Sequence, residues 1–394
     1  MPKENSSREF DVAVFGATGY VGHRLLTELD KLSKKLGWRL LATLRSPQKI
    51  QTLKNDFPGA HFEVLDVLDL KAVENVVQKT RLVVNCVGPF DLYGENVVKA
   101  CAELSTHYLD ITGEIIFARR MIERYDKIAK ENRATIVSFS GFDSVPSDMG
   151  VFLVAQEMHE AFSQQVASVD LIFKVKGGLN GGTAFTALDS SSKIHIKDQK
   201  NLNFLSPEKP DLSYGEQDRP RYVPALKKWV APFFMESINN KVVYRSVALS
   251  PDAEKYFSRD FKYRESVFVW GGKWGAAAMA LSLRASQSLL ETSQGRRFAQ
   301  MVLPKPGQGP SEKQMQEGFF EATVIATGTR GQTLVRKMAC AGDPANISTV
   351  KILISCIRVI VAKDFQSKGG VLTPSTAWGA QLLPALRESG ISWG

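Results

Sequence analysis

The sequence predicts an α/β protein built on a doubly wound parallel sheet, with a second, α+β domain inserted into it. Three observations predict this. Strand-like and helix-like segments alternate through the first 140 residues. A glycine-rich turn falls between the first strand and the first helix, and the rhythm changes after Gly150 to longer alternating segments. Repeated strand–helix–strand units form parallel sheets with right-handed crossovers. At roughly 150 residues per domain, a chain of 394 residues suits two or three domains.

Taken in order, residues 10–15 (FDVAVF) form an apolar strand that ends at Gly16. Residues 20–36 carry Val21, Leu25, Leu29, Leu32 and Leu36 at helical spacing. Strands are expected at 38–44, 61–65, 82–87, 107–111 and 134–139, with helices at 70–78, 95–104 and 116–131 between them. The 82–87 run is almost wholly apolar, as a strand covered on both faces requires. Beyond residue 150, alternation at 166–175, 319–329 and 332–341 predicts a more antiparallel sheet. Residues 198–232 read as a loop excursion and 307–310 as a linker. Helical periodicity returns at 346–362. The expected division is a Rossmann-like domain at 1–148, an inserted α+β domain at 149–344, and a C-terminal helical segment at 345–394 that packs back on the first domain.

Composition excludes several classes. With 44% hydrophobic and 23% charged residues the chain is globular. Its four cysteines lack CxxC spacing, which argues against a zinc site or structural disulfides, and Cys86 reads as a core thiol. No metal site is expected. The first residues hold no apolar signal segment, so secretion is not expected. The uncharged apolar stretch 274–283 is too short to span a bilayer, which needs about 20 residues, but surface contact stays open. Residues 1–150 hold 20 basic and 20 acidic side chains, leaving 30 and 21 for the rest, so the whole net charge of +9 lies after residue 150. That asymmetry suits an anionic partner. The cations are dispersed and without a motif, so nucleic acid is not expected.

The site-bearing motif is Gly16-Ala17-Thr18-Gly19-Tyr20-Val21-Gly22. Gly16 makes the tight turn, Gly19 admits a pyrophosphate, and Gly22 lets helix and sheet approach. The helix start then offers N–H groups to phosphate. A site for NAD usually carries Asp or Glu at the end of the second strand. Here the sequence is Ala42-Thr43-Leu44-Arg45-Ser46, so Arg45 and Ser46 favour a 2′-phosphate and hence NADP(H). Asp66 follows the third strand and either touches adenine or caps the next helix. Val87, Gly88 and Pro89 end the fourth strand and would wall the nicotinamide ribose. Tyr93 is a candidate for orienting substrate or donating a proton, or else packs at a helix start. Two further clusters, residues 107–114 and 141–148, fit a lining beside the nicotinamide; Asp143 and Ser144 are the second cluster's catalytic candidates. Ser144 or Ser147 reads equally as an N-cap. The glycine-rich turn 177–183 would close over nicotinamide and substrate.

The motifs GATGYVG, NCVGPF followed by YG, YLDITGE, GFDSVPSD, the GG-T turn, LPKPGQGPS (303–311) and GGVLTP (369–374) stand in this order along nearly the whole chain. Together they resemble the saccharopine dehydrogenase-like oxidoreductases, and within them the trans-acting enoyl reductase type. The resemblance implies a Rossmann domain with an inserted α+β domain and NADPH-linked reduction of a double bond in a lipid or polyketide chain held on a carrier. Members commonly carry Ala-Gly-Arg-Ser after the second strand; this chain keeps Arg45-Ser46 but has Thr43-Leu44 in place of Ala-Gly. The wider family's members are associated with lipid droplets or mitochondria; the expectation here is a cytoplasmic protein or one peripheral on a lipid droplet or membrane, with oligomeric state open, a homodimer included. Two other functions compete. One is a non-enzymatic lipid-surface or scaffolding protein with a vestigial nucleotide site. The other is saccharopine-type C–N chemistry, which needs several arginines for substrate carboxylates, with Arg219, Arg221 and Arg245 as candidates.

Overall fold

The structure is a computed structural model that describes residues 8–178, 201–209, 219–302 and 309–394. Among these residues the strands, in chain order, are β1 (Phe10–Phe15), β2 (Leu40–Leu44), β3 (Ala60–Val64), β4 (Thr80–Asn85), β5 (His107–Asp110), β6 (Thr135–Val137), β7 (Val166–Lys176), β8 (Arg221–Val223), β9 (Lys228–Pro232), β10 (Phe257–Phe268), β11 (Phe319–Gly328), β12 (Thr333–Ala341), β13 (Gly370–Leu372) and β14 (Ile391–Trp393). They form two seven-stranded sheets. The chain divides into two compact units, one of Met1–Gly141, Gly307–Gly309 and Thr349–Ser389, the other of Phe142–Pro306, Pro310–Ser348 and Gly390–Gly394.

The first unit holds a wholly parallel sheet in the order β13-β6-β5-β4-β1-β2-β3. Every residue of β1 and of β2 is buried, which only helices on both faces allow. The helix Tyr20–Leu36 buries Val21, Leu25, Leu26 and Leu29 and stops at Gly37, whose φ of 72° closes the last turn onto the Ser33 carbonyl. Strand order reverses between β1 and β4, and such a switch point opens a crevice at the carboxyl ends of the strands. The run Pro344–Val361 has the length and apolarity of a membrane span, but its helix Thr349–Val361 is buried along most of its length and packs on Tyr20–Leu36 and Leu382–Glu388.

The second unit's sheet has the order β14-β12-β11-β7-β10-β9-β8. It is antiparallel except for the β7–β10 pair. The helix Val145–Phe162 lies on this sheet against β11, β12 and β7 and is buried through its first seven residues.

Several expectations change here. Residues 198–232, read as a loop, contain β8 and β9; both are short, and Pro224 and Pro232 disguise them. The alternation in FSRDFKYRESVF hides β10 behind charges on its open face. The boundary falls after Gly141, and the last strand pairs with β12 in the second unit's sheet, where the sequence placed all of 345–394 with the first. Cys86 is only partly buried at the end of β4, and all four cysteines are free thiols. Of the glycine turn at 177–183, residues 179–183 lie outside the described residues, as do residues 303–308 of the LPKPGQGPS motif.

Candidate functional site

The carboxyl ends of β1 and β4 meet at the glycine loop. Gly16 has φ of +81°, and a Cβ there would stand 2.9 Å from Val87 Cγ2 and 3.3 Å from the Cys86 carbonyl. At Gly22 a Cβ would lie 2.2 Å from the Gly16 carbonyl oxygen, so helix and turn touch backbone to backbone. The Gly19 N–H closes the turn on the Gly16 carbonyl at 2.9 Å. Gly19 is also the N-cap of the helix Tyr20–Leu36; no side chain caps that end and no acidic residue stands in its first turn. A 17-residue helix thus directs its positive end over a cradle that a single Cβ would fill. Gly309, from the end of the LPKPGQGPS motif, packs so near the Tyr20 ring that a Cβ would be 2.5 Å from Cζ.

At the end of β2, Leu44 is buried and Arg45 is exposed, with no ion-pair partner among the described residues. The Ser46 hydroxyl donates to Gln48 at 2.5 Å. Asp66 is exposed, and its carboxylate accepts the Leu68 N–H at 3.0 Å in a local turn. The cap of the following helix is Asp69, which accepts from Ala72, so the reading of Asp66 as that cap is corrected. This cradle fits a dinucleotide: glycines where phosphate oxygens would crowd a Cβ, and a helix N-terminus that no side chain caps among the described residues.

Polar groups brace the crevice from below. Asn85 accepts the Val87 N–H at 3.0 Å and donates to the Tyr108 hydroxyl at 3.2 Å. Asp110 ends β5 fully buried. Its carboxylate accepts from Thr112 N–H at 3.0 Å, Phe139 N–H at 3.3 Å and the Ser138 hydroxyl at 3.0 Å. Burial nevertheless raises its carboxyl to about 6, the donors only offsetting part of that. Phe139 reaches it with φ of +62°, a left-handed conformation that costs a non-glycine residue roughly 1–2 kcal/mol. Desolvation, with the Asp110 charge adding, also pushes the Cys86 thiol up to about 12.

Glu114 has a role that the sequence did not announce. Its two carboxylate oxygens accept the N–H groups of Phe90 at 2.8 Å and Asp91 at 2.7 Å, directly after Gly88-Pro89. It therefore holds the turn from β4 into the short helix Phe90–Tyr93 rather than serving only the dipole of its own helix. Tyr93 is half-buried at the end of that short helix.

The catalytic candidates fall in different units: Tyr93 in the first, Asp143 and Ser144 in the second. Asp143 is partly exposed, and desolvation raises its carboxyl to about 6. Ser144 occupies the N-cap position of Val145–Phe162 but makes no capping bond. Its hydroxyl instead donates to Asn239 Oδ1 at 2.8 Å, which corrects the cap reading. Asn239 donates in turn to Glu265 at 3.0 Å, and Glu265 also accepts from the Ser147 hydroxyl at 2.5 Å and from the Tyr263 hydroxyl. Burial lifts Glu265 to about 7; burial and then the Glu265 charge lift Glu236 to about 9. Sequence reasoning missed this buried network because its members lie far apart in the chain. Of the three arginines weighed for substrate carboxylates, Arg221 pairs with Asp170 at 2.9 Å and Arg245 is buried and donates to the Leu205 carbonyl. Among the described residues no three His, Cys, Asp or Glu side chains gather to hold a metal.

Residues 12–137 match the model of the saccharopine dehydrogenase NADP-binding domain. A protein of Mycobacterium tuberculosis H37Rv, provisionally named a trans-acting enoyl reductase, is 31% identical over 98% of this chain and 97% of its own length. The chain belongs to the saccharopine dehydrogenase-like oxidoreductases, of the trans-acting enoyl reductase type. Trans-acting enoyl reductases of Mycobacterium leprae (29% identical) and Mycobacterium ulcerans (27%) also align over 98% of this chain, covering 97% and 98% of theirs. The apo saccharopine dehydrogenase (L-Glu forming) of Saccharomyces cerevisiae shares the fold at a TM-score of 0.59 and 11% identity, covering 98% of this chain and 99% of that one. As a member of this family the protein is an NAD(P)-dependent oxidoreductase whose first unit is the nicotinamide-cofactor domain.

Proposed function

We propose that this family member is an NADPH-dependent reductase acting on a carbon–carbon double bond conjugated to a carbonyl, in a lipid-like acyl chain held on a carrier. The observation that carries the cofactor choice is the end of β2, where no carboxylate stands and Arg45 is exposed and unpaired among the described residues. The names of the full-length relatives support the substrate class. The engagement of Arg221 and Arg245 within the protein argues against a site for several substrate carboxylates.

In this reading Gly16, Thr18, Gly19, Tyr20, Val21 and Gly22 cradle the pyrophosphate. Arg45 and Ser46 take the 2′-phosphate, Ser46 by exchanging its bond to Gln48. Asp66 lies toward adenine, and Val87, Gly88 and Pro89 wall the nicotinamide ribose. Bound NADPH supplies the hydride. Glu114 and Asn85 keep the Val87–Pro89 wall rigid, so that the reacting carbons meet at a fixed distance. Asp143 is the second unit's candidate proton donor: desolvation raises its carboxyl to about 6, so it holds a proton at mildly acidic pH where a solvated aspartate would not. Tyr93 is the first unit's candidate for orienting substrate, and Ser144, its hydroxyl held by Asn239, is the second unit's.

The test is a fluorescence titration of the wild type and Arg45→Ala with NADPH and NADH. A charge-assisted bond is worth about 1.5–3 kcal/mol. NADPH affinity should therefore fall roughly 10- to 100-fold in the variant, with NADH affinity changed less than about twofold. Tighter wild-type binding of NADH would refute the cofactor assignment. Oxidation of NADPH by an enoyl thioester tests the substrate class; turnover of glutamate plus an aminoadipate semialdehyde instead would restore the C–N reading.

A further inference from the structure

The helices Gly272–Glu291 and Ser293–Val302 form a hairpin on the second unit. The first helix lies on β9 and β8 through small residues: Ala276 and Ala280, four apart, are buried there. Its other side is open. Trp274 is 81% exposed and Leu281, seven residues on, 69%. Trp270, just before the helix, is 80% exposed. On the second helix Phe298, Met301 and Val302 share a face at i, i+3 and i+4 and are all exposed. A run of large apolar side chains facing water is unusual on a monomer and marks an interaction site. Residues 270–302 also hold four basic side chains, Lys273, Arg284, Arg296 and Arg297, against one acid, Glu291. Lys227 and Lys228 stand exposed beside them at the start of β9.

We propose that this hairpin docks the protein on an anionic lipid surface, lying in its plane. The pattern is that of an interfacial helix, with tryptophan and other apolar residues inserted among headgroups and cations answering the phosphates. The charge argues against a second copy as the occupant, because a two-fold contact would set the same cations against each other. Lys273 and Arg284 rule out insertion across the bilayer and are compatible with an in-plane position. The proposal places a lipid-like substrate in the phase from which this unit would take it, but it does not depend on the reductase reading.

Flotation of the full-length protein with vesicles of phosphatidylcholine alone, and of phosphatidylcholine with about 30% phosphatidylglycerol, tests it. Flotation with the anionic vesicles, a blue shift of tryptophan emission, and loss of both in high salt are expected. Removing the exposed Arg297 should weaken partition about fivefold. Trp270→Ser with Trp274→Ser should abolish the blue shift. Phe298→Ser with Met301→Ser serves as a second, independent pair should the first not fold. NADPH titration of each variant should match the wild type, which separates failure here from failure of the cofactor assignment. A wild type that stays with neither vesicle would overturn the proposal. So would a dimer in sedimentation that Trp274→Ser dissociates without altering flotation, or capture by an acidic acyl carrier with no flotation.

Discussion

Glu265 gathers four neighbours around one buried carboxyl: Ser147, Asn239 and Tyr263 donate to it, and Glu236 lies close enough to compete for its proton. Its folded value of about 7 lies above the ordinary 4.5, so between these pH values the folded protein binds more protons than the unfolded chain. Stability contributed by this residue is therefore complete below pH 4.5 and is lost as pH rises toward 7. Glu236, raised to about 9, extends that loss upward. Glu265→Gln keeps the shape and removes the titration. Its melting temperature relative to wild type should climb between pH 5 and pH 8, by about 3 °C or more. Thermal melts of the two proteins across that range check this; parallel curves would mean that Glu265 is ionised throughout. Nothing in one strand's sequence marks this residue, since Ser147 is 118 positions away from it. By contrast, Gly16 and Gly22 were readable from spacing alone, because their requirement is local: a turn with no room for a Cβ.

Among the elements, the short helix Phe90–Tyr93 is too brief to hold itself, and Glu114 from the next strand–helix connection ties down its first two amides. Glu114→Gln replaces one acceptor with a donor facing an N–H, leaving a buried group unpaired at a cost of about 1–3 kcal/mol. Chemical denaturation should show that loss. Cofactor affinity should fall as well, because Gly88 and Pro89 precede the tied amides; unchanged affinity at reduced stability would confine Glu114 to the scaffold. The strands of the first sheet were legible because burial on both faces leaves continuous apolar runs in β1, β2 and β4. β10 was not, because its exposed face is charged and its inner face carries Tyr263 and Glu265, which read as polar. Glu114 stayed illegible for another reason: a glutamate at a helix start already has an ordinary explanation.

For the molecule as a whole, charge and function divide in the same place. Residues 1–150 are neutral and the remainder carries the entire +9, so the nicotinamide cofactor of the first unit does not account for the excess. Affinity for a carrier-bound or thioester substrate should fall steeply as salt is raised from about 0.05 to 0.5 M, whereas the preference for NADPH over NADH should change little. Steady-state kinetics over that range check it, and a salt-dependent cofactor preference with salt-independent substrate affinity would point the other way.

Both sheets take an edge strand from residues 370–393. β13, residues 370–372, is the edge of the first sheet, and β14, residues 391–393, closes the edge of the second beside β12. During synthesis, then, the first unit waits for the whole of the second to be made before its last parallel strand emerges. The second waits longer still, with the hydrogen-bonding rim of β12 open until Trp393 leaves the ribosome. Such unpaired rims are where nascent chains adhere to one another. Each sheet therefore has its rim covered only once residues 370–393 have been made, and their loss would leave β6 and β12 as open edges.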